Sequence, residues 1–196
     1  VVANGEYVRA DRLAALARAA DLIIAADGGA NWLAEVGIRA HVLIGDLDSA
    51  SPAAQRALRE AGCEVLRFPA HKDETDTELA LAEAAARGAE QITLLGAIGG
   101  RIDHTLANIL LLAMPRLAGV PTYIYDGQSW LSLVRGYAAI RGAVGDLVSL
   151  IPIAGDAEGV LTEGLEYALH GETLRFGPAR GISNVLKSPE ASVTVQ

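Results

Sequence analysis

Cysteine occurs once in this chain, at Cys63, so no intrachain disulfide can form and a cysteine-built zinc cage is excluded. Cys63 lies in the strand-like CEVLRF and reads as a small core residue. Lysine is almost as scarce. Lys72 and Lys187 are the only two, against 14 arginines, and no basic stripe is present. With a net charge of −8, bulk attraction to nucleic acid or to an anionic membrane is not expected. No apolar run reaches the 18 or so residues of a membrane span. The stretch VVANGEYVRA lacks the basic-then-apolar pattern of a signal peptide, so a cytoplasmic location is the simplest expectation. Neither lysine follows a glycine, which excludes a GxxxxGK[ST] phosphate loop; GxGxxG and the GxSxG nucleophile elbow are missing too. An acidic protein can still take an anionic substrate when a divalent cation lies between them.

What is present is a folded composition, 51% apolar and 20% charged, over 196 residues. Up to about residue 125 the chain alternates between apolar runs and helical segments. VVAN, DLIIAA, HVLIG, CEVLRF, QITLL and PTYIY read as strands. ANWLAEVG, SPAAQRALREAG, TDTELALAEAAARG and DHTLANILLLAMP read as the helices between them. Strands without polar alternation, joined by helices, indicate a parallel sheet covered on both faces. Beyond residue 126 the helical segments disappear. Short runs such as WLSLV, DLVSLIPI, TLRF and SVTV, punctuated by Gly, Pro and Asp, suggest a small antiparallel sandwich. The expected fold is therefore an α/β domain over residues 1–126 followed by a β-sandwich over 127–196.

Ligands of an open parallel sheet bind beyond the carboxyl ends of its strands. Those ends here read AADGGA, IGDLDS, HKDETD, GAIGGRIDH and YDGQ, each with an aspartate. Asp27-Gly28-Gly29 fits a tight turn with close backbone approach, and taken alone it is a helix cap more readily than a site. Asp46 and Asp48 are two apart; extended backbone would set them on one side, about 7 Å apart. Carboxylates so placed suit Mg²⁺, though a solvated Asx turn fits equally well. In HKDETD, a capping box accounts for Thr75 and Glu78, and the helix dipole favours Asp76. Lys72 and Asp73 are left over, and a compact ammonium suits a phosphate. In GAIGGRIDH, three glycines offer N–H groups, Arg101 offers a fork for phosphate oxygens and Asp103 heads a helix. His104 takes a supporting role.

The ordered set DGG (27–29), GDLDS (45–49), KDETDTELAL (72–81), GGRIDHTLANI (99–109) and GISN (181–184) resembles the thiamine pyrophosphokinase family over nearly the whole chain. The resemblance implies an N-terminal α/β domain for ATP and Mg²⁺, a C-terminal thiamine-binding β-sandwich, and a homodimer with its sites at the subunit interface. It implies transfer of a pyrophosphoryl group from ATP to the thiamine hydroxyl, giving thiamine diphosphate and AMP. Carried over by residue, the metal-binding acids match Asp46, Asp48 and Asp76. The nucleotide positions match Asp27, Gly28, Gly29, Lys72, Asp73 and Arg101, with His104 beside them. Ser183 and Asn184 match the pair near thiamine. Asp103, near the reacting groups, and Asp73 are the candidates to take the hydroxyl proton. Two rival readings are a metal-dependent phosphoesterase and a catalytically silent nucleotide- or thiamine-binding regulator. The first generally needs more histidine ligands than His71 and His104 supply; the second is open because fold does not fix function.

Overall fold

The computed structural model describes residues 1–196, which form two compact units, Val1–Leu133 and Val134–Gln196. The first contains α1 (Ala10–Arg18), β1 (Ile24–Ala26), α2 (Gly29–Glu35), β2 (Val42–Gly45), α3 (Pro52–Glu60) and β3 (Glu64–Arg67). It continues through α4 (Asp76–Ala86), β4 (Ile92–Leu95), α5 (Ile102–Leu111), β5 (Thr122–Tyr125) and β6 (Trp130–Ser132). Strands β1, β2 and β3 pair in parallel, as do β4 and β5, while β6 runs antiparallel to β5. Val2 bridges both β1 and β4, so the opening segment is the central strand that joins the two halves. The chain fills one side of the sheet through β3, then crosses by α4 to β4 on the other. The reversal falls beside Val2, where such sheets leave a crevice for ligands.

Each face of the sheet has its own apolar layer. Leu13 and Ala17 of α1, Leu33 of α2 and Leu58 of α3 pack with Ala25 and Leu43. Ala80, Leu81 and Ala84 of α4 pack on the opposite face against Ile24, Val42, Ile44 and Leu94. The strands carry Val, Ile and Leu without alternation because both faces are covered. Leu81 is fully buried, a contribution of about 1.5–3 kcal/mol. Helix α1 has no counterpart among the sequence-based expectations, although its buried Leu13, Ala14 and Ala17 follow helical spacing.

The second unit holds β7 (Tyr137–Arg141), β8 (Leu147–Val148), β9 (Ala157–Glu163), β10 (His170–Leu174), β11 (Asn184–Val185) and β12 (Glu190–Thr194). An antiparallel sheet in the order β10-β9-β12-β7 faces the short β11-β8 pair. Leu165, Leu186 and Ala191 fill the space between them with Ile140 and Val148. In β12, Ala191 and Val193 point inward while the intervening residues are partly exposed, the alternation of a one-sided sheet. The α/β-then-antiparallel architecture is the one the sequence indicates. The division between units falls after Leu133 rather than at Asp126-Gly127, because Trp130–Ser132 pair with β5. No helix is long and apolar enough to cross a membrane.

Candidate active site

Three carboxylates meet at the carboxyl edge of the first sheet. Asp27 follows β1, Asp46 follows β2, and Asp76 opens α4; one oxygen from each lies within 4.8 Å of the others. Thr75 caps α4 by accepting from the Glu78 N–H at 3.1 Å, which places Asp76 in the first turn, where the helix dipole favours it. Gly45 makes the meeting geometrically feasible. It has φ +139°, and a Cβ there would lie 2.8 Å from Asp76 Cγ. The DGG turn is equally tight: a Cβ on Gly29 would stand 2.2 Å from the Val2 carbonyl oxygen.

Asp27 is buried, and both its oxygens accept backbone N–H groups, from Ala50 at 3.1 Å and Ser49 at 3.3 Å. Desolvation pushes its pKa above the ordinary carboxylate value; the Ser49 and Ala50 bonds oppose this, and Asp76 and Asp48 add to it. Asp76 Oδ1 is sealed from solvent and accepts no well-directed hydrogen bond. The Lys72 ammonium lies 3.0 Å from it as an ion-pair partner and donates to the Pro69 carbonyl at 3.2 Å. Lys72's side chain is only 11% exposed, so this ammonium is held at the cluster rather than free in solvent.

Asp46 and Asp48 do not line one side of an extended strand. Strand β2 ends at Gly45, and Leu47 adopts φ 70°, which turns its own side chain inward and the chain with it. The Asp48 N–H then donates to Asp46 Oδ1 at 3.1 Å, an Asx turn, and Asp48 faces solvent with Ser49 Oγ donating to its Oδ1 at 2.9 Å. Two residues with no sequence signal brace this loop. Asn31 bonds Ser49 O at 2.9 Å and Ser51 N at 2.8 Å, and Gln55 donates to Leu47 O and Ala50 O. Four non-glycine residues have positive φ, and three of them, Asp27, Leu47 and Ser183, sit in the quoted motifs. Such strain gathers where a site requires it.

The other acidic and histidine candidates of the first unit are not members of the three-acid cluster. Arg101 pairs in a fork with Asp103, at 3.2 and 2.6 Å, and both are well exposed. That bond, helped by the His104 N–H, lowers Asp103 to about 2. Asp103 is in the first turn of α5 but does not cap it; Arg101 occupies the cap position. The Gly99 N–H is directed to Thr105 Oγ1 at 3.2 Å instead of outward. Asp73, His71 and His104 are exposed. In the second unit, Ser183 holds φ 58° with its N–H on Ser149 Oγ, and Asn184 is buried.

Chemically, three hard carboxylate oxygens, with Asp76 Oδ1 sealed from solvent and met only by the Lys72 ammonium, fit a small divalent cation with open coordination positions for phosphate. Both units also match a known family. Residues 13–124 match the thiamin pyrophosphokinase catalytic domain and residues 139–196 the thiamin pyrophosphokinase vitamin B1 binding domain. The chain is 29% identical over 167 residues to a Bacillus subtilis thiamine pyrophosphokinase, covering 84% of this chain and 78% of that one. The crystal structure of thiamine pyrophosphokinase from that organism superposes with a TM-score of 0.85 at 27% identity, over 99% of this chain and 92% of the other. The Geobacillus thermodenitrificans structure gives 0.83 at 28% identity, over 100% and 91%. With both of its units matched in order, this chain belongs to the thiamine pyrophosphokinase family of enzymes.

Proposed function

We propose that the chain transfers the pyrophosphoryl group of ATP to the hydroxyl of thiamine, releasing AMP. The observation that carries this reading is the cluster of Asp27, Asp46 and Asp76, with one Asp76 oxygen sealed from solvent beside the Lys72 ammonium. These three would hold Mg²⁺, with Asp48 within reach of a bound water from the same loop. When bound, the ion supplies Lewis-acid polarisation of the phosphoryl oxygens and charge neutralisation. Asp27 is fixed by the Ser49 and Ala50 N–H groups, so its carboxylate needs little reorganisation to receive a cation. Lys72 is the compact cation available to nucleotide phosphate once it leaves Asp76. Gly28 and Gly29 give a backbone approach free of side chains, and Arg101 and His104 flank the phosphate path. The thiamine oxygen forms a bond to the β-phosphorus, the bond to the α-phosphate oxygen breaks, and that oxygen leaves with AMP. The hydroxyl proton passes to a carboxylate, Asp73 or Asp103. Much of the rate would come from positioning and electrostatics. A cytoplasmic site of action belongs to this reading, since ATP is the donor.

A homodimer with its active site at the subunit interface is part of the same proposal. It is supported by α5, where Ile102, Leu106 and Leu110 recur every fourth residue and are 71%, 55% and 55% exposed. Incubation with Mg²⁺, ATP and thiamine tests the reaction. AMP and thiamine diphosphate formed together, and only with thiamine, are the expected result. Phosphate released without thiamine would mark an esterase, and binding without turnover a regulator. Light scattering in solution tests the dimer.

A further inference from the structure

The central strand and β1 separate at the carboxyl edge of the first sheet. The Val2 N–H donates to Ile24 O at 2.9 Å, and the Ala26 N–H to Val2 O at 2.8 Å. Beyond Ala26 no backbone hydrogen bond joins the two. The Asp27 N–H turns to Ile44 O, while the central strand follows the loop after β4, with the Gly5 N–H on Gly96 O and the Glu6 N–H on Ile98 O. A sheet that opens at its point of reversal leaves a crevice for a ligand. Asp27, a member of the three-acid cluster, stands on one lip of it, and Asn4 on the other.

The side chain of Asn4 reaches across to the turn after β1. A Cβ on Gly28 would stand 2.3 Å from Asn4 Cγ and Nδ2 and 2.5 Å from Oδ1, so the carboxamide fills that space. Gly28 has φ −60°, which any residue adopts; glycine is needed there for clearance, not for conformation. Three of the four asparagines in the chain spend their amides on backbone. Asn31 braces Ser49 and Ser51, Asn108 donates to Ala97 O, and Asn184 holds the Tyr167 backbone. Asn4 is the fourth. It is exposed, and its amide meets no hydrogen-bond partner in the protein.

The neighbouring glycine loop offers a phosphate little. The Gly99 N–H is taken by Thr105, and Glu6 Oε1 lies 3.7 Å from where a Cβ on Gly100 would be, a carboxylate beside that loop. A cationic donor on the Asn4 lip would pair with the acids, as Lys72 does with Asp76, and so compete with a metal. A neutral amide donates to a charged oxygen without that competition. We propose that Asn4 is a binding residue for the nucleotide, its Nδ2 donating to an oxygen of the phosphate chain at the three-acid cluster. This rests on the reading that the cluster binds Mg²⁺ and ATP. It gives the bare backbone at Gly28 a definite use, which is to admit this amide beside Asp27.

Calorimetry decides the proposal, using the full chain, Mg²⁺ and an ATP analogue with a methylene between the α- and β-phosphorus. Asn4→Ala is expected to weaken analogue binding ~10–100-fold, the scale of one lost hydrogen bond to a charged acceptor. Asn4→Asp, of the same size, should weaken it further, because it sets a carboxylate against phosphate. Inorganic triphosphate with Mg²⁺ should lose the same factor in Asn4→Ala. Direct Mn²⁺ binding without nucleotide should be unchanged in that variant, which separates a phosphate contact from damage to the cluster. In turnover, KM for ATP should rise while KM for thiamine stays put. Equal analogue affinity in the parent and Asn4→Ala overturns the proposal, as does a parallel loss of Mn²⁺ binding or no measurable analogue binding by the parent. A loss seen with the analogue but not with triphosphate also overturns it, since Asn4 would then read the base or the ribose. If both proteins form AMP and thiamine diphosphate with one KM for ATP, this inference falls and the proposed reaction stands. The expected Asn4 dependence of binding with no turnover of ATP and thiamine would sink the proposed reaction and leave this inference standing.

Discussion

Two aspartates, each just past a strand of the same sheet, end up in opposite electrostatic states. Asp27, after β1, is buried among Asp46 and Asp76, and desolvation raises its pKa. Asp103, beyond β4, is exposed and forked to Arg101, which lowers it to about 2. Desolvation works against the charge of the first; the Arg101 fork favours the charge of the second. Topology delivers both to the same edge, but burial and partners decide what each can do. Asp27 suits a metal that replaces lost hydration. Asp103, held as a firm carboxylate by Arg101, is a weak base while that fork persists.

The sharpest way to break this contrast is Asp76→Asn. It removes one ligand and leaves the cap at Thr75 intact. Turnover is expected to fall about 10²–10³-fold, the scale of one lost preorganised electrostatic contact. Direct Mn²⁺ binding, followed by paramagnetic resonance, should fall with it. Asp103→Asn should leave Mn²⁺ binding unchanged. Equal losses of metal in the two variants would erase the distinction. A smaller effect is expected from Gly45→Ala. The added carbon would meet Asp76 Cγ at 2.8 Å, on a backbone with φ +139°, and push that carboxylate off the cluster. The metal requirement should rise about 10–100-fold, as when other groups that orient metal ligands are lost. Saturating Mg²⁺ should restore most of kcat. An unaltered Mg²⁺ titration would show that Gly45 does not set Asp76.

Much of the first unit was legible because its signals are local. Apolar runs and helix caps outline the sheet, and Thr75, Ser51 and Pro52 start helices where the pattern says they should. The family motifs announce the acids. The pairing of those acids was not legible. Sequence spacing sets Asp48 beside Asp46, and the family resemblance places Asp27 with the nucleotide. The left-handed turn at Leu47 reverses that geometry, and no propensity favours a leucine there. Asn31 and Gln55 hold the loop through backbone contacts 18 to 20 and 5 to 8 residues away, which one sequence does not reveal. In the second unit the SN pair was visible, but Asn184's commitment to Tyr167 depends on a contact 17 residues back. Helix α1 is spaced as a helix, but two of its three buried residues are alanines, which give little apolar signal beside the continuous run that follows.

Lys72→Met sharpens the picture of the cluster in the opposite direction from Asp76→Asn. The Lys72 ammonium occupies part of the space between Asp76 and a prospective cation, 3.0 Å from Oδ1. Its removal should tighten Mn²⁺ binding to the nucleotide-free protein about two- to fivefold, the scale of a modest ion pair. KM for ATP should rise at the same time, because the phosphate partner is lost. Changes of the same sign in both measurements would mean that Lys72 does not exchange between the acid and the nucleotide.

The smallest expected effect concerns Arg101 and pH. Asp103's folded pKa lies below its ordinary value of 3.8, first because of the Arg101 fork and then because of the His104 N–H. A depressed carboxylate contributes stability that is present above the unfolded pKa and is lost as pH falls through the folded one. The window therefore runs from 3.8 down to about 2. The pair is well exposed, so solvent screens it and the contribution is slight. Arg101→Ala should lower the melting temperature slightly at neutral pH, leave it unchanged at the acid end of that window, and flatten its slope between the two. Asp103 stays ionised through the assay range of about pH 5 to 9, so activity lost in Asp103→Asn should be lost evenly across it. A loss that varies with pH there would mean that substrate binding dissolves the Arg101 fork and brings Asp103 up towards the pKa of a working base.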